Sequence, residues 1–451
     1  MAENNQADPV IGSPLPGNYW VRGLTGTTKW DTVSAGNNIS WAFATTAAHG
    51  TYASANANLL TSGTATGTYN PLSDTGGDLE LKQAVRAAVD SIEAVADVNF
   101  NEFTSTASFD TVDIKVMGFD NLNALGWGTF PGTDAMPGGG GEFEGFTLLA
   151  TTGSGMTTDP LLGAGSNRQS TSLHEFLHTI GLGHPHDTGH GSTSWTTSNN
   201  TGAGEDDLDN RRYTTMSYER GGLNQNTQNR SYGSDVTPMA LDVAALHHLY
   251  GSRANHTGNT VYTLTDPETA ALDADGNDGN VSIGRAFYSI WDTGGTDQIS
   301  YSGSNHALIN LNEATLTGTD SAQLTAWIDD VEGTSAYAGL SQELKDDISD
   351  ASYHAGGFFS RVYYDNGAAA LGGYSIANGL YAEAAHRNGA VIENATGSNQ
   401  SDIIIGNEQA NTLLSSGGDD VVHGSAGDDT IKGGGGNDTL FGGDDDDTVV
   451  G

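Results

Sequence analysis

Residues 174–184 read HEFLHTIGLGH, and the spacing of the histidines governs what the fold around them must provide. His174 and His178 are four residues apart, so in a helix both imidazoles project from one face and can bind one metal ion. Glu175 directly follows the first histidine, and from there its carboxylate can reach a water on that metal as a general base. The stretch therefore predicts a helix that carries two metal ligands and a base.

The end of the same stretch predicts a third ligand. Gly181 can take a left-handed conformation, which would end the helix and turn the chain so that His184 returns towards the first two histidines. Three neutral histidines leave one coordination position for water, which is the arrangement of a catalytic zinc. The alternative is a helix decorated with surface histidines, which the added glycine and third histidine disfavour.

A second motif, YTTMSY at 213–218, places Met216 32 residues after His184. A methionine turn below three histidines would give the metal an apolar floor, although an ordinary buried core methionine would look the same in the sequence. Tyr218 could reach the zinc as a further ligand, or swing away and donate a hydrogen bond to the oxyanion of a tetrahedral intermediate. The alternative for Tyr218 is an ordinary packed tyrosine.

A nine-residue repeat occupies the end of the sequence. Its six units begin at Gly397, Gly406, Ser415, Gly424, Gly433 and Gly442. The sixth positions are Asp402, Asn411, Asp420, Asp429, Asp438 and Asp447, and the eighth are Ile404, Leu413, Val422, Ile431, Leu440 and Val449. This pattern predicts a calcium-binding parallel β-roll. The alternative, a Gly/Asp-rich disordered linker, is disfavoured by the fixed register of the apolar eighth position.

Each repeat unit should supply one turn and one very short strand. Glycine lets carbonyl groups converge on a cation, and aspartate adds the hard oxygen that calcium prefers. Consecutive turns must lie on opposite edges, so each ion should lie between turns two units apart. The ion between the turns of Asn411 and Asp429 should bind more weakly, because asparagine carries no charge. The whole segment should fold only when calcium binds, since its carboxylates otherwise repel one another.

Charge and composition limit the possible functions. The chain has 16 Lys and Arg against 56 Asp and Glu, a formal net charge of −40, which excludes a nucleic-acid partner because phosphate binding needs basic residues. It has no cysteine, which excludes disulfides, thiolate zinc sites and cysteine nucleophiles. No secretory signal peptide and no apolar run of about 18 residues that could span a membrane is recognisable in the sequence.

Periodicity predicts two parts with a boundary near residue 251. The first part should contain strands at 39–45, 112–117 and 145–150 and helices at 80–96, about 170–179 and 238–250. Thr171 or Ser172 is expected to be the N-cap of the second helix, and Pro238 is expected in the first turn of the third. The second part should be rich in strands and turns, with a helix within 338–350.

Together these motifs resemble the serralysin family, the bacterial RTX metalloproteases of the metzincin clan. The likeness rests on HEFLHTIGLGHP (174–185), TTMSY (214–218), TPMALDVAALHHLYG (237–251), WDTGGTD (291–297), INLNEAT (309–315), VIENATG (391–397) and the nonapeptides. A tyrosine two residues after the methionine favours serralysins or astacins over matrixins. The nonapeptides and the absence of cysteine then exclude astacins.

The resemblance implies an α+β zincin-like (metzincin) catalytic domain with a mixed five-stranded sheet at 16–250, followed by an all-β parallel β-roll calcium-binding domain, with β-sandwich character, at 251–451. It implies a secreted zinc-dependent endopeptidase that hydrolyses proteins through a zinc-activated water. One zinc would be held by His174, His178 and His184, with Tyr218 as displaceable ligand and catalytic residue, Glu175 as general base and Met216 in a structural Met-turn. Substrate would pair with an edge strand near 125–132.

Several structural calcium ions are also implied by the resemblance. Near the domain boundary the ligands would be Asp292, Gly294, Gly295 and Asp297, facing Gly258 and Asn259, with Glu393 and Asp402 nearby. Asn259 stands where the family usually has aspartate, so that ion should bind less tightly. In the repeats the ligands would be Asp420, Asp429, Asp438 and Asp447.

Partners and location follow from the same resemblance. It implies protein or peptide substrates, a proteinaceous inhibitor, export by a type I secretion apparatus to the extracellular space, and a monomer. Three parts depart from the family. The first ~80 residues match poorly, with 1–15 as a candidate propeptide; 320–372 looks like an insertion; and the stop at Gly451, inside the sixth nonapeptide, suggests truncation.

Two rival functions remain open from the sequence. A non-enzymatic RTX adhesin or calcium-binding module would explain the repeats but not the complete zinc motif. A different zinc hydrolase on the same scaffold would explain the motif equally well, and cleaved peptides would distinguish it from a protease.

Overall fold

The computed structural model describes residues 7–9, 24–25, 28–30, 36–49, 67–122, 124–131, 135–136, 139–140, 145–152, 165–186, 209–218, 233–266, 280–283, 286–314, 322–334, 337, 342–349, 360–363, 369–378 and 390–451. The helices are α1 Gly76–Glu93, α2 Asn167–Thr179, α3 Ala240–Tyr250, α4 Ala322–Glu332 and α5 Gln342–Ser349, with a 3₁₀ helix at Thr106–Thr111. Most of the candidate propeptide lies outside the described residues. No described helix is long and apolar enough to cross a membrane.

A mixed six-stranded sheet supports the helix that carries the histidines. Its strands are β3 Asn38–Phe43, β4 Thr68–Asn70, β5 Asn99–Glu102, β6 Ile114–Asp120, β7 Gly126–Gly128 and β10 Phe146–Thr152. The order is β5–β3–β6–β10–β7, parallel except for β7, and β4 pairs antiparallel with β6. The sheet is mixed, as predicted, but it has six strands instead of five, because β4 adds to β6 outside the continuous path.

Two of the predicted helices differ from expectation at their N-termini. α2 begins at Asn167 after Ser166, whose side chain accepts a hydrogen bond from the Gln169 N–H. The predicted N-cap at Thr171 or Ser172 is therefore wrong, because both lie inside a helix that is buried along its whole length. α3 begins at Ala240, so Pro238 precedes its first turn instead of lying within it.

Helix α3 joins the two halves of the chain. Its last residue is Tyr250, as predicted. Gly251 follows with a positive φ of 84°, which glycine adopts more readily than residues that carry a Cβ. The His247 ring lies against Trp291 of the second half, and His247 Nε2 lies 2.9 Å from the Val95 carbonyl oxygen of the first. One apolar core continues through both halves.

The second half is a stack of two mainly parallel sheets. One has the order β11–β14–β18–β17–β16–β20–β22–β24, with bounds Ser234–Asp235, Ala286–Ile290, Ala369–Ile376, Ser360–Tyr363, His306–Asn310, Ile403–Ile405, Val421–Ala426 and Thr439–Asp444. The other has the order β13–β12–β15–β19–β21–β23–β25, with bounds Asn280–Ile283, Val261–Leu264, Gln298–Tyr301, Asn394–Thr396, Thr412–Leu414, Thr430–Lys432 and Thr448–Val450. Elsewhere, short pairs form between β1 Ala7–Pro9 and β2 Thr28–Trp30 and between β8 Ala135–Met136 and β9 Gly139–Gly140.

Strands two repeat units apart pair in parallel, which confirms the predicted alternation of edges. Ile404 pairs with Val422, and Val422 with Leu440, in the first sheet. Leu413 pairs with Ile431, and Ile431 with Val449, in the second. The eighth positions of the first four units therefore lie within the core, and Leu440 of the fifth unit packs against it.

The described helices of the insertion, α4 and α5, pack on the outer face of the first sheet. Trp327, Ile328 and Val331 of α4 and Leu344 and Ile348 of α5 form one buried cluster with that sheet. The sheet contributes residues that flank the eighth positions of the repeat, chiefly Ile403, Ile405 and Val421. We call this contact the insert–roll interface.

Candidate metal centre

Three histidine side chains converge at the end of helix α2. His174 and His178 project from one helical face, and the turn at Gly181, with φ of 107°, brings His184 back beside them. His184 Nε2 lies 3.1 Å from His174 Nε2 and 3.0 Å from His178 Nε2. Within the described ranges, these histidines are the group that brings three ligand atoms within 4.8 Å of one another.

Two backbone carbonyls fix the protonation of these rings. His174 Nδ1 lies 2.8 Å from the Thr215 oxygen, and His178 Nδ1 lies 2.7 Å from the Leu182 oxygen. A carbonyl can only accept, so each Nδ1 carries the proton and each Nε2 turns a lone pair towards His184. Burial lowers the pKa of His174 well below its usual value, which keeps the ring neutral. Nitrogen lone pairs that face one another repel, whereas a zinc ion between them would be coordinated by all of them.

Glu175 lies beside the histidines and is almost buried, with 8% of its surface exposed. Burial raises the pKa of its carboxyl to about 8, against the lowering effects of a hydrogen bond from the Gly128 N–H and the charge of Arg211. A divalent cation bound by the histidines would oppose this rise. Gly128 belongs to β7, the edge strand next to β10, which falls within the predicted substrate strand. Glu175 is thus a residue of the histidine helix whose carboxyl contacts that edge strand.

The methionine turn is held by a residue that the sequence reasoning did not single out. Met216 is fully buried, as both interpretations of it require. Asp242, fully buried in the first turn of α3, accepts hydrogen bonds from Thr214 Oγ1 at 2.5 Å and from the Thr215 N–H at 2.6 Å. Since the Thr215 carbonyl accepts from His174, Asp242 supports a candidate ligand through one residue. Its place inside the 237–251 motif was the available signal.

An ion-pair network ties helix α2 to the strand that leads into the second half. Arg211 donates to Ser170 Oγ at 3.0 Å and to the Ser217 carbonyl at 3.3 Å, and lies 3.5 Å from the buried Asp235 carboxylate. Ser170 Oγ also donates to Asp235 at 3.1 Å. Ser170 lies one helical turn before His174, so the network fixes the helix that presents the ligands. No local sequence pattern indicates this pairing, because Arg211 and Asp235 lie 41 and 65 residues from Ser170.

Tyr218 lies at the open side of the histidine group, with 49% of its surface exposed. Its ring centroid is 4.6 Å from that of His184 and 5.8 Å from that of His174. His186, two residues after His184, also contacts it, with a centroid distance of 4.9 Å. The tyrosine is therefore close enough to act at the same centre as the histidines.

Three of the four carboxylates predicted near the domain boundary, those of Asp292, Asp297 and Glu393, come together, whereas Asp402 pairs with Asp420 of the repeats. Asp292 Oδ1 accepts from the Gly294 N–H at 3.2 Å, Asp297 Oδ1 from the Thr260 N–H at 2.7 Å, and Glu393 Oε2 from the Asp297 N–H at 2.7 Å. Asp297 Oδ2 is buried without a hydrogen-bond partner. Burial raises the pKa of Asp297 to about 7, with the negative charge of Asp292 adding to it. Neighbouring buried carboxylates, one of them with an oxygen that has no hydrogen-bond partner, fit the ligand set of a calcium ion.

The second set of boundary positions lies in the facing turn. A Cβ placed on Gly295 would come 2.6 Å from the Gly258 carbonyl oxygen, so the two turns approach at backbone distance. Asn259 Oδ1 accepts a hydrogen bond from the Thr296 N–H at 3.0 Å. The Asn259 side chain therefore links the two turns through this hydrogen bond.

Repeat aspartates form two relays with a step of 18 residues. On one edge the Asp402 N–H donates to Asp420 Oδ1 at 2.8 Å and the Asp420 N–H to Asp438 Oδ1 at 3.2 Å. On the other the Asn411 N–H donates to Asp429 and the Asp429 N–H to Asp447, at 2.7 and 3.0 Å. The second oxygens of Asp420 and Asp429 are buried without a hydrogen-bond partner, which again fits cations between the turns.

Comparison with known proteins points in one direction. The model of the RTX calcium-binding nonapeptide repeat matches residues 396–431 and 423–451. The chain is 30% identical over 252 residues to metallopeptidase AprA of Pseudomonas marginalis, covering 53% of this chain and 47% of that protein. It is 33% identical over 153 residues to serralysin C of Dickeya chrysanthemi, covering 33% of this chain and 29% of the relative.

A third relative, serralysin of Proteus mirabilis, is 28% identical over 239 residues, covering 49% of this chain and 44% of the relative. The matches extend over about half the length of the first curated relatives. The Pseudomonas relative is named as a metallopeptidase, and the repeat model describes calcium binding.

Proposed function

Because the chain belongs to the serralysin family by these relatives and repeats, we propose that it is a secreted zinc-dependent endopeptidase stabilised by calcium. The observation that carries the proposal is the convergence of the His174, His178 and His184 Nε2 atoms beside a buried glutamate. A calcium-binding module without enzymatic activity would have no use for this arrangement. The convergence therefore favours the enzyme over the adhesin.

The chain's own residues supply most of the proposed chemistry. Zinc held by the three histidines would polarise the scissile carbonyl and lower the pKa of water. Glu175 accepts a proton from the attacking water and later donates it to the leaving amine. The Thr215 and Leu182 carbonyls keep the Nε2 atoms of their histidines free to bind the metal. Asp242 and Met216 hold the loop that carries Thr215.

Substrate contacts are proposed for two surfaces of the cleft. Strand β7 is a sheet edge next to Glu175, so an extended peptide can add to it by main-chain hydrogen bonds. Tyr218 is half exposed beside His184. Its hydroxyl can donate a hydrogen bond to the oxyanion that forms when water attacks the scissile carbonyl. Both assignments agree with a protein substrate.

Calcium ions are proposed at two groups of sites. At the domain boundary the ligands are the carboxylates of Asp292, Asp297 and Glu393 with carbonyls of the turns at 258–259 and 294–295. In the roll the ligands are Asp402, Asp420, Asp429, Asp438 and Asp447 with carbonyls of the repeat glycines. The buried oxygens without hydrogen-bond partners at Asp297, Asp420 and Asp429 support these assignments.

Export by a type I apparatus and an extracellular location complete the proposal. Both follow from the resemblance to the serralysin family and from the repeats. A chain locked by calcium after export would need no disulfides, in agreement with the absence of cysteine.

The decisive experiment combines metal analysis with proteolysis of casein. Glu175→Gln should lower turnover at least about a hundredfold and leave zinc content unchanged, because the amide cannot accept the proton. Glu332→Gln in α4, outside the histidine group, is the matched control and should behave as wild type. Normal turnover by Glu175→Gln would refute the base assignment. A folded protein without zinc and without activity would favour the calcium-binding module.

A further inference from the structure

The ring of His186 occupies a defined position outside the three-histidine group. It lies parallel to the His184 ring, with an interplanar angle of 10° and centroids 4.9 Å apart. It also contacts the Tyr218 ring at 4.9 Å with an angle of 49°. His186 follows His184 by two residues, with the buried Pro185 between them. The imidazole is thus placed against both a candidate ligand and the half-exposed tyrosine.

Three histidine rings therefore lie against the Tyr218 ring. Two of them, His174 and His184, belong to the candidate metal centre, and His174 is fixed through the Thr215 carbonyl. A half-exposed tyrosine otherwise samples several rotamers, so each ring contact lowers the entropy lost when its hydroxyl acts at one point. His186 supplies the contact that the metal ligands do not.

We propose that His186 is a positioning residue that holds the Tyr218 ring against His184. This inference rests on the proposed function, in which the Tyr218 hydroxyl donates to the oxyanion. His186 acts through packing of its ring, so any flat aromatic side chain at position 186 should serve. An imidazole that merely lines the rim would show no dependence on Tyr218.

The kinetic test is a double-mutant cycle with a ring-preserving control. His186→Ala should lower kcat about three- to tenfold, the range expected for one aromatic contact, with KM and zinc content unchanged. His186→Phe should restore kcat to within about twofold, since it keeps the ring. In a Tyr218→Phe background, His186→Ala should have almost no further effect on kcat. An equal loss in both backgrounds, or a change in KM alone, would overturn the proposal.

A second measurement is independent of catalysis. The protein is labelled with fluorotyrosine, and the signal of Tyr218 is assigned by its loss in Tyr218→Phe. His186→Ala should move that signal towards the position of free fluorotyrosine, while His186→Phe should leave it near the wild-type position. An unmoved signal in His186→Ala refutes the ring contact. If the wild type does not hydrolyse casein, the proposed function fails, and the fluorine shift still decides whether His186 holds Tyr218.

Discussion

Replacement of Trp327 by alanine should weaken the insert–roll interface, and only when calcium is bound. Trp327 lies in α4, is 7% exposed and packs in one cluster with Ile403, Ile405 and Val421. Its ring also lies 6.0 Å from that of His423 on β22. Truncation of a buried tryptophan costs about 3–5 kcal/mol, and we expect about 3 because a surface-mounted helix can settle into part of the space. That loss is about a hundredfold in the docking equilibrium.

The assay is urea denaturation followed by circular dichroism in millimolar calcium and again in a calcium chelator. In calcium, Trp327→Ala should lower the free energy of unfolding by about 3 kcal/mol, because the roll is then folded and α4 packs on its outer face. In chelator the loss should disappear, because the roll that provides this face needs calcium to fold. Asp329→Ala, an exposed position of the same helix, should change stability by less than about 0.5 kcal/mol in both conditions. Equal losses for Trp327→Ala with and without calcium would refute the coupling.

Two further predictions concern metal ligation. Asp242→Ala should lower zinc affinity by about ten- to a hundredfold, because it leaves the Thr215 N–H and its loop unsupported. Asp242→Asn should retain most of it through its remaining oxygen, as competition with a chelator will measure, and wild-type affinity in Asp242→Ala would contradict the support role. Asn411→Asp replaces an amide, which donates to the Glu393 carbonyl and to Asn407 at 3.0 and 2.9 Å, by a carboxylate. In calcium titrations the same change should tighten binding, because it adds a charged ligand, and weaker binding would count against an ion at this turn.

Local periodicity predicted the elements whose burial follows a single face. Helix α1, predicted at 80–96 and found at Gly76–Glu93, buries Leu81, Val85, Ala88, Val89 and Ile92 on one face, which is the helical spacing of apolar residues. The predicted strands at 39–45, 112–117 and 145–150 correspond to β3, β6 and β10. In each case the residues themselves carry the pattern that tertiary packing then uses.

Elements whose burial depends on distant residues were harder to place. Ser170, Thr171 and Ser172 suggested a helix start, yet they lie within α2, where Ser170 binds Arg211 and Asp235. Such long-range partners cannot be read from a local propensity. The same holds for Asp242, whose partners Thr214 and Thr215 lie 28 and 27 residues away.

The position of the insertion could be inferred from apolar residues in the repeats. A helix was expected within 338–350, where α5 is found, while α4 was not anticipated. The seventh and ninth positions of the first and third repeat units include Ile403, Ile405 and Val421, all buried. The corresponding positions of the fourth unit are Thr430 and Lys432. An apolar outer surface on one sheet alone requires a covering element, and the insertion supplies it.

The relay with its step of 18 residues has a consequence for how such a roll can change in length. Adding or deleting two consecutive units keeps every later strand in its own sheet and preserves each N–H to carboxylate contact in kind. Removing a single unit would move all later strands to the opposite sheet. In this chain such a shift would bring residues such as Thr430 and Lys432 under helices α4 and α5, where Val421 now lies. Because the insertion covers only one sheet, the roll can be lengthened or shortened without exposing or burying the wrong residues only when units are added or removed in pairs.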